Sequence, residues 1–446
     1  MIIARFAPSP TGHLHLGNLR SCFLNWIFAK KNKGKFILRF DDTDKERSKD
    51  EFVTSIKSDL EWLKIDYQET FFQSKRVDRY NELFDKLIEN NLVYPCFESN
   101  EELEIKKKLQ LKAGKPPIYD RQSLNLSKEE IEKKIINGEK PYWRFKLSQK
   151  KIVWLDLVKG NTEVDLSSQS DPVLRRADGS YLYHFPSVVD DIDMKISHII
   201  RGEDHLSNSA VHSELFQSLG SNSPSFGHNP LMLNVDGTKI SKRNIDSISI
   251  NQFRSKGYST NSILSYMFSV GLSSDFDFQN IAANDFNDFD LSKISKNLPK
   301  LDIQKIDYFQ KNSLRSMTNS DLNDEFPELR ELKMTNIEWD LIKNNIDEYK
   351  DIGEFLDIIR RKNVEKKPSK EFVDILISNI EKIKDMNFDE YINFLSHHDL
   401  KLTKKEIYTN TRYILTGNNN GPSVKDLFLF FGVEGIKKII NESKTF

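Results

Sequence analysis

At 446 residues the chain exceeds a single small module and is long enough for roughly three domains, each with its own core. Charged residues make up 30% and hydrophobic ones 38%, with 18 Gly and 14 Pro, the profile of a soluble globular protein rich in helix. A net charge of -1 excludes a nucleic-acid partner held by global charge, so such a partner would need local basic faces.

The two cysteines, Cys22 and Cys96, have no second thiol or clustered histidine nearby, which excludes a disulfide framework and a locally assembled four-ligand zinc site. No apolar run approaches a membrane span, and the first residues lack a signal-peptide core. The expectation is a cytoplasmic enzyme or binding protein that meets no membrane.

A short apolar strand, Ile2 to Phe6, leads through Ala7-Pro8-Ser9-Pro10-Thr11-Gly12-His13-Leu14-His15 to a helix predicted from about Leu19. Leu16, Leu19, Phe23, Trp26 and Ile27 recur at helical spacing and predict one buried face. The prolines and glycines hold the linker in a non-helical path, and Gly17 lets a ligand approach the first helical turn, whose unpaired N–H groups favour anions. On its own the stretch is equally well explained as a structural turn with an incidental histidine.

Lys35 to Phe40 reads as a buried strand that ends in Asp41-Asp42-Thr43-Asp44, where α/β sheets bind ligands. A calcium loop fails there, because neither register supplies Gly at the sixth place and Glu at the twelfth. Helices are predicted over about Asp50 to Leu63 and Val77 to Asn90. From about Tyr94 the pattern changes to charged helices, the turn Pro116-Pro117, and strands over Pro141 to Leu147 and Lys151 to Val158. An inserted domain is expected, and its scattered lysines read as a solvated face.

The α/β pattern returns with a strand expected over Ser180 to Phe185, a helix, and a strand Ile196 to Ile200 running into Arg201-Gly202-Glu203-Asp204-His205. A basic turn, Lys239-Ile240-Ser241-Lys242-Arg243, follows. Beyond about Ser247 the chain reads as helix, with amphipathic runs over Ile337 to Ile359, Phe372 to Ile383 and Leu427 to Ile440.

Together His15-Leu16-Gly17-Asn18 and Lys239-Ile240-Ser241-Lys242-Arg243 resemble the paired HIGH and KMSKS signatures of class I aminoacyl-tRNA synthetases. Arg5 to Gly12, Leu38 to Asp44 and Ile200 to His205 are similar to the bacterial glutamyl-tRNA synthetase family, and Leu415-Thr416-Gly417 resembles a short motif of its last domain. Three departures stand out: Asn18 replaces the second histidine of the signature, Asp41 stands where glutamyl enzymes often carry Glu, and Cys96 stands alone where some members hold zinc.

The resemblance implies an α/β Rossmann-type catalytic domain with an inserted α+β domain, followed by an all-α C-terminal region. The expected divisions are 1–95 and 186–245 for the two catalytic halves, 96–185 for a tRNA acceptor-end-binding insertion, 246–315 for a connecting domain and 316–446 for helical anticodon binding. It further implies glutamyl-adenylate formation from L-glutamate and ATP with Mg²⁺, no zinc, and transfer to tRNA by a monomer.

The implied catalytic residues are His15, Lys239 and Lys242. ATP would meet Pro8, Ser9, Gly12, His15, Gly17, Asn18, Asp204, Lys239, Ser241, Lys242 and Arg243. Glutamate, with two carboxylates and one ammonium, needs cations and an acceptor, and Arg5, Arg201 and Asp41 supply these from strand ends, with Ala7, Ser9, Tyr183 and Ser187 lining the pocket. The competing readings are a glutaminyl relative, whose anticodon region resembles β-barrels, and a non-catalytic tRNA-binding paralogue.

Overall fold

A computed structural model describes residues 1–238, 240, 248–271, 286–397 and 402–442. They form two compact units, one of Met1–Phe253 with Leu264–Asp302, the other of Arg254–Ile263 with Ile303–Phe446.

In the first unit, parallel strands β1 (Ile3–Phe6), β2 (Lys35–Phe40) and β3 (Glu69–Phe72) form one sheet in that order. Strands β9 (His198–Gly202) and β10 (Ser225–Asn229) form another parallel pair. The two pieces meet at their start, where Ser197 N donates to Ile3 O at 2.9 Å and Ile3 N donates to Ser197 Oγ at 2.8 Å. The spatial order is therefore 3-2-1-9-10, and direction along the sheet reverses between β1 and β9. A crevice at the carboxyl ends of strands at such a switch point is where open α/β sheets bind ligands.

What keeps β1 and β9 from closing is a side chain of the intervening helix α1 (Leu16–Lys31). Asn25, buried in that helix, accepts from Ile200 N at 3.2 Å and donates to Ile200 O at 2.6 Å, so its amide substitutes for a neighbouring strand. The helix packs Leu16, Leu19, Phe23, Trp26 and Ile27 inward, the face expected from the sequence. It begins at Leu16 rather than about Leu19, which brings Gly17 and Asn18 into its first turn.

Between the halves lie an antiparallel sheet of β4 (Val93–Cys96), β5 (Tyr142–Phe145) and β8 (Val173–Arg175), and a hairpin of β6 (Lys151–Asp156) and β7 (Gly160–Asp165). The strand expected over Ser180 to Phe185 does not form. Tyr181 makes a single bridge to Arg175, and helix α6 (His184–Asp193) starts three residues later. Alternating Tyr181, Tyr183 and Phe185 imitate a strand, but Pro186, whose fixed φ and missing N–H suit a first helical turn, permits the helix instead.

In the second unit the described residues hold helices only, around a core that includes Trp339, Phe372, Leu376, Tyr391 and Ile436. The run expected over Ile337 to Ile359 is broken into Asn336–Ile342 and Asp351–Ile359. The polar stretch Lys343-Asn344-Asn345 forms a single 3₁₀ turn, while Ile346 stays fully buried and preserves the apolar rhythm across the break. The run expected over Leu427 to Ile440 lies in Val424–Glu442, interrupted at Gly432 (φ 62°).

Replacing Asn25 by alanine strips two buried backbone groups of their partners. Asn25→Ala is expected to lower stability by about 2 kcal/mol or more, which a urea titration read by the fluorescence of the adjacent Trp26 would measure.

Candidate active site

The crevice between β1 and β9 holds a cavity of about 620 Å³. Of the residues expected at a site, Arg5, Ala7, Pro8, Ser9, His15, Gly17, Asn18, Asp41, Tyr183, Arg201 and Asp204 line it. Gly12 is not among the lining residues. Ser187 lies fully buried behind the wall, its hydroxyl 3.5 Å from Asp41 Oδ2 and its carbonyl accepting from Arg39 Nη1 at 3.5 Å. Lys239, Ser241, Lys242 and Arg243 fall outside the described residues. The chain on either side of 241–247 is nonetheless anchored at the site, since Ile240 lines the cavity and Ser249 bridges His15, with Ile250 N donating to Leu14 O at 2.8 Å.

His15 caps α1. Its Nδ1 accepts from Gly17 N at 3.1 Å, while its own N–H donates to Asn18 Oδ1 at 2.8 Å, a reciprocal capping box. This gives Asn18 a definite job: it ties down the residue before the helix. A backbone N–H can only donate, so Nδ1 is unprotonated and the ring's proton sits on Nε2. Burial pushes the imidazole down to about 4, so at neutral pH His15 is an uncharged Nε2–H donor. Gly17 permits the arrangement, because a Cβ there would stand 3.0 Å from His15 Cε1 and Nδ1.

The carboxyl ends of β1 and β2 carry a buried row of charges. Asp191 on α6 accepts from Arg5 Nε at 3.1 Å and Arg39 Nη1 at 2.6 Å, and Arg39 in turn grips Asp41 through Nε at 2.7 Å and Nη2 at 3.3 Å. Burial pushes the Asp41 carboxyl above the usual carboxylate range even though Arg39 opposes this. Asp191 goes the other way: burial raises it, but Arg5 and Arg39 outweigh that and hold it below the usual range. Alongside, Asp190 accepts from Arg76, Gln73 and Tyr80.

Arg201 is different in kind. Nearly fully buried on β9, it donates from Nη1 to Tyr183 Oη at 2.7 Å and from Nη2 to Ser209 Oγ at 2.7 Å. Among the described residues no carboxylate lies within ion-pair distance of it, and its Nε has no partner. Burial, with Arg5 as a lesser like-charge neighbour, lowers its proton affinity below the usual arginine range. The cavity thus places two guanidiniums, a carboxylate, and a helix N-terminus with a neutral histidine donor around one space. Such a site suits a ligand with anionic groups and one cation, held beside a phosphate.

Sequence reasoning missed Arg39, Asp191, Asn25 and Ser209. The available signal was a charged residue inside an apolar stretch, as Arg39 is in Lys35–Phe40 and Asp190-Asp191 are after Val188-Val189. Cys22 and Cys96 are both buried free thiols, and Cys96 contacts Tyr119 Oη at 3.6 Å.

Known proteins resemble the chain over its full length. A family model described as tRNA synthetases class I (E and Q), catalytic domain, matches residues 1–308. The curated glutamate--tRNA ligase 2 of Ehrlichia canis (strain Jake) is 36% identical over 449 residues, covering 100% of both chains. Glutamate--tRNA ligase 2 of Bartonella bacilliformis is 37% identical over 456 residues, 99% of each. Among solved structures, that of a glutamate tRNA ligase from Elizabethkingia meningosepticum CCUG26117 in complex with its amino acid matches with a TM-score of 0.81 at 28% identity, covering 99% of this chain and 98% of that one.

The buried state of His15 has a direct readout. Its pKa of about 4 lies below the ordinary 6.5, so its contribution to stability is whole above pH 6.5 and is lost as pH falls from there through 4. NMR titration is expected to place its midpoint near 4, with Nε2 protonated at pH 7; a midpoint near 6.5 would contradict the capping geometry.

Proposed function

The chain belongs to the class I tRNA synthetases of the glutamate and glutamine kind, and on that premise we propose that it attaches L-glutamate to tRNA at the expense of ATP, through a glutamyl-adenylate. The observation that carries the choice of glutamate is the pair of buried arginines, Arg5 and Arg201, facing one cavity with Asp41. The glutaminyl alternative is disfavoured by full-length likeness to curated glutamate--tRNA ligases and by a second unit whose described residues form helices rather than strands. Retention of His15, Lys239 and Lys242 disfavours a non-catalytic paralogue.

In this reading an oxygen of the glutamate α-carboxylate attacks the α-phosphorus of ATP and the bond to the pyrophosphate oxygen breaks. A terminal ribose hydroxyl of tRNA then attacks the activated carbonyl and AMP leaves. The 2′-hydroxyl is the acceptor expected for this family. Neither step needs an enzyme nucleophile, so catalysis rests on positioning and on stabilising charge at phosphate oxygens. His15 Nε2–H and the N–H groups of the first turn of α1 supply neutral donors. Lys239 and Lys242 supply cations from a segment whose two described flanks are both anchored beside His15. Pro8, Ser9, Gly17, Asn18, Asp204, Ser241 and Arg243 complete the ATP side. ATP is taken as its Mg²⁺ complex, since hard phosphate oxygens favour that ion.

The α-carboxylate must keep an electron pair available for attack, whereas the side-chain carboxylate keeps its charge throughout. Arg201, which has no carboxylate within ion-pair distance among the described residues, calls for a permanent anion beside it and Arg5, which fits the side chain. Asp41 is left for the ammonium, with Ala7, Ser9 and Tyr183 shaping the walls and Ser187 supporting Asp41 from behind. For tRNA, segment 96–185 is assigned to the acceptor end, 246–315 to the connection and 316–446 to the anticodon, in a monomer that charges tRNA(Glu) and is to be tested with tRNA(Gln).

Aminoacylation of purified tRNA(Glu) and tRNA(Gln) with glutamate and with glutamine tests the assignment, and charging with glutamine alone would overturn it. Lys242→Ala is expected to slow adenylate formation about 100-fold or more while tRNA binding stays nearly intact; equal losses in both would remove Lys242 from the chemistry. Arg5→Ala should depress glutamate use far more than ATP binding, and Arg5→Lys should recover only part of it, because a point charge cannot reproduce the guanidinium fork. An unchanged preference for glutamate over glutamine in folded Arg5→Ala would take Arg5 out of the site.

A further inference from the structure

We infer that Asp156, His228 and Ser209 form a hydrogen-bond relay that positions Arg201 for the substrate's side-chain carboxylate, with Asp156 supplied by the inserted hairpin rather than by the α/β core. The inference rests on the glutamate reading for its substrate, though its geometry stands alone.

The chain of contacts is short and fully buried. Asp156 ends β6; His228 lies on β10 and Ser209 on helix α7 (Leu206–Ser218). Asp156 Oδ1 accepts three backbone N–H groups, from Val158 at 3.0 Å, Lys159 at 2.9 Å and His228 at 3.0 Å. Its Oδ2 lies 2.5 Å from His228 Nδ1 and accepts from Trp154 Nε1 at 3.3 Å. Burial pushes this carboxyl up, but the bonds from His228 and the backbone hold it well below the usual carboxylate range. It is therefore an anion with acceptors only.

An ionised Asp156 requires a proton on His228 Nδ1. Burial lowers the histidine's proton affinity against the pull of Asp156, so the ring is neutral and its Nε2 bears a lone pair. Ser209 Oγ lies 2.7 Å from that nitrogen, nearer than its other acceptor, His205 O at 3.3 Å, and donates to it. The hydroxyl's lone pairs then face Arg201 Nη2, which donates to them at 2.7 Å. Each proton's direction is thus set by one carboxylate two residues removed from the guanidinium.

This arrangement differs from the usual way of holding a buried arginine. A carboxylate in direct contact, such as Asp191 on Arg5, orients the cation but also answers its charge. A relay fixes the plane of Arg201 from one side and leaves the charge uncompensated, so that a substrate carboxylate supplies the counter-ion. Tyr183 fixes the other edge. None of the three relay residues lines the cavity, so they are positioning residues and not catalytic ones.

The test uses the full-length protein, tRNA(Glu), ATP and glutamate. Ser209→Ala and Asp156→Asn are each expected to raise KM for glutamate about 10-fold, with KM for ATP within about twofold of wild type. The double variant is expected to be no worse than the poorer single one, because both break the same chain. Unchanged KM for glutamate in folded Ser209→Ala, or fold-changes that multiply in the double variant, would overturn the relay. Histidine ¹⁵N NMR supplies an arm that needs no activity: His228 protonated at Nδ1 and bare at Nε2 supports the relay, and the opposite tautomer overturns it. Wild-type protein that charges no glutamate would defeat the glutamate reading, and with it the substrate assigned to Arg201, while the tautomer still decides the hydrogen-bond chain.

Discussion

The buried row Arg5, Asp191, Arg39, Asp41 is the constraint on which the rest of the site depends. Each of these ions loses several kcal/mol of hydration on burial, and the loss is offset only if every charge finds a well-placed partner. Asp191 serves two arginines, and Arg39 hydrogen-bonds two aspartates with Asp190 a third carboxylate 3.9 Å from its Nε, so the row's own four charges balance and no member can rotate without stranding a neighbour. Because the four residues come from β1, α6, β2 and the turn after β2, the row also fixes how the helix sits on the strand ends. Asp41 is consequently held in place by Arg39 at the cavity wall.

Against this neutral row, Arg201 is the exception. The same crevice holds one arginine whose charge is answered within the protein and another whose partners are a phenol and a hydroxyl. An anion bound beside Arg201 would supply the ionic partner that the phenol and the hydroxyl do not. The separation of β1 from β9 that makes room for this has a specific cause in Asn25, which satisfies Ile200's backbone groups where a strand would otherwise be needed. Site and fold are therefore one problem: the amide that completes β9 also keeps the crevice open next to Arg201.

Local features were legible in the sequence because they rest on local physics. The strand-loop-helix at Phe6 to Asn18, the buried strand Lys35–Phe40 and the carboxylates after it follow from periodicity, proline and glycine placement, and strand-end chemistry. What could not be read was pairing at long range: Arg39 meets Asp191 across 152 positions, and His228 meets Asp156 across 72. A charged residue within an apolar stretch signals that a partner exists without saying which. The failed strand at Ser180 to Phe185 and the broken helix after Ile342 show the complementary weakness, since aromatic alternation and a continuous apolar rhythm each persisted through a change of backbone conformation.

Two histidines show how the site obtains fixed donors and acceptors without fixed charge. His15 commits Nδ1 as an acceptor for Gly17 N–H, and so must present a proton at Nε2; His228 commits Nδ1 as a donor to Asp156, and so must present a lone pair at Nε2. The rings are opposite tautomers, each selected by its partner at the same nitrogen. Burial keeps both neutral, which matters because a cationic His15 would lose its bond from Gly17 N–H, and a cationic His228 would add charge beside an arginine that meets no carboxylate at ion-pair distance among the described residues. At its ordinary pKa a lysine or a carboxylate in either place would be charged at neutral pH. The histidines are therefore explained by the direction of one hydrogen bond each, and the difference between their roles traces to what lies within 3.1 Å of Nδ1.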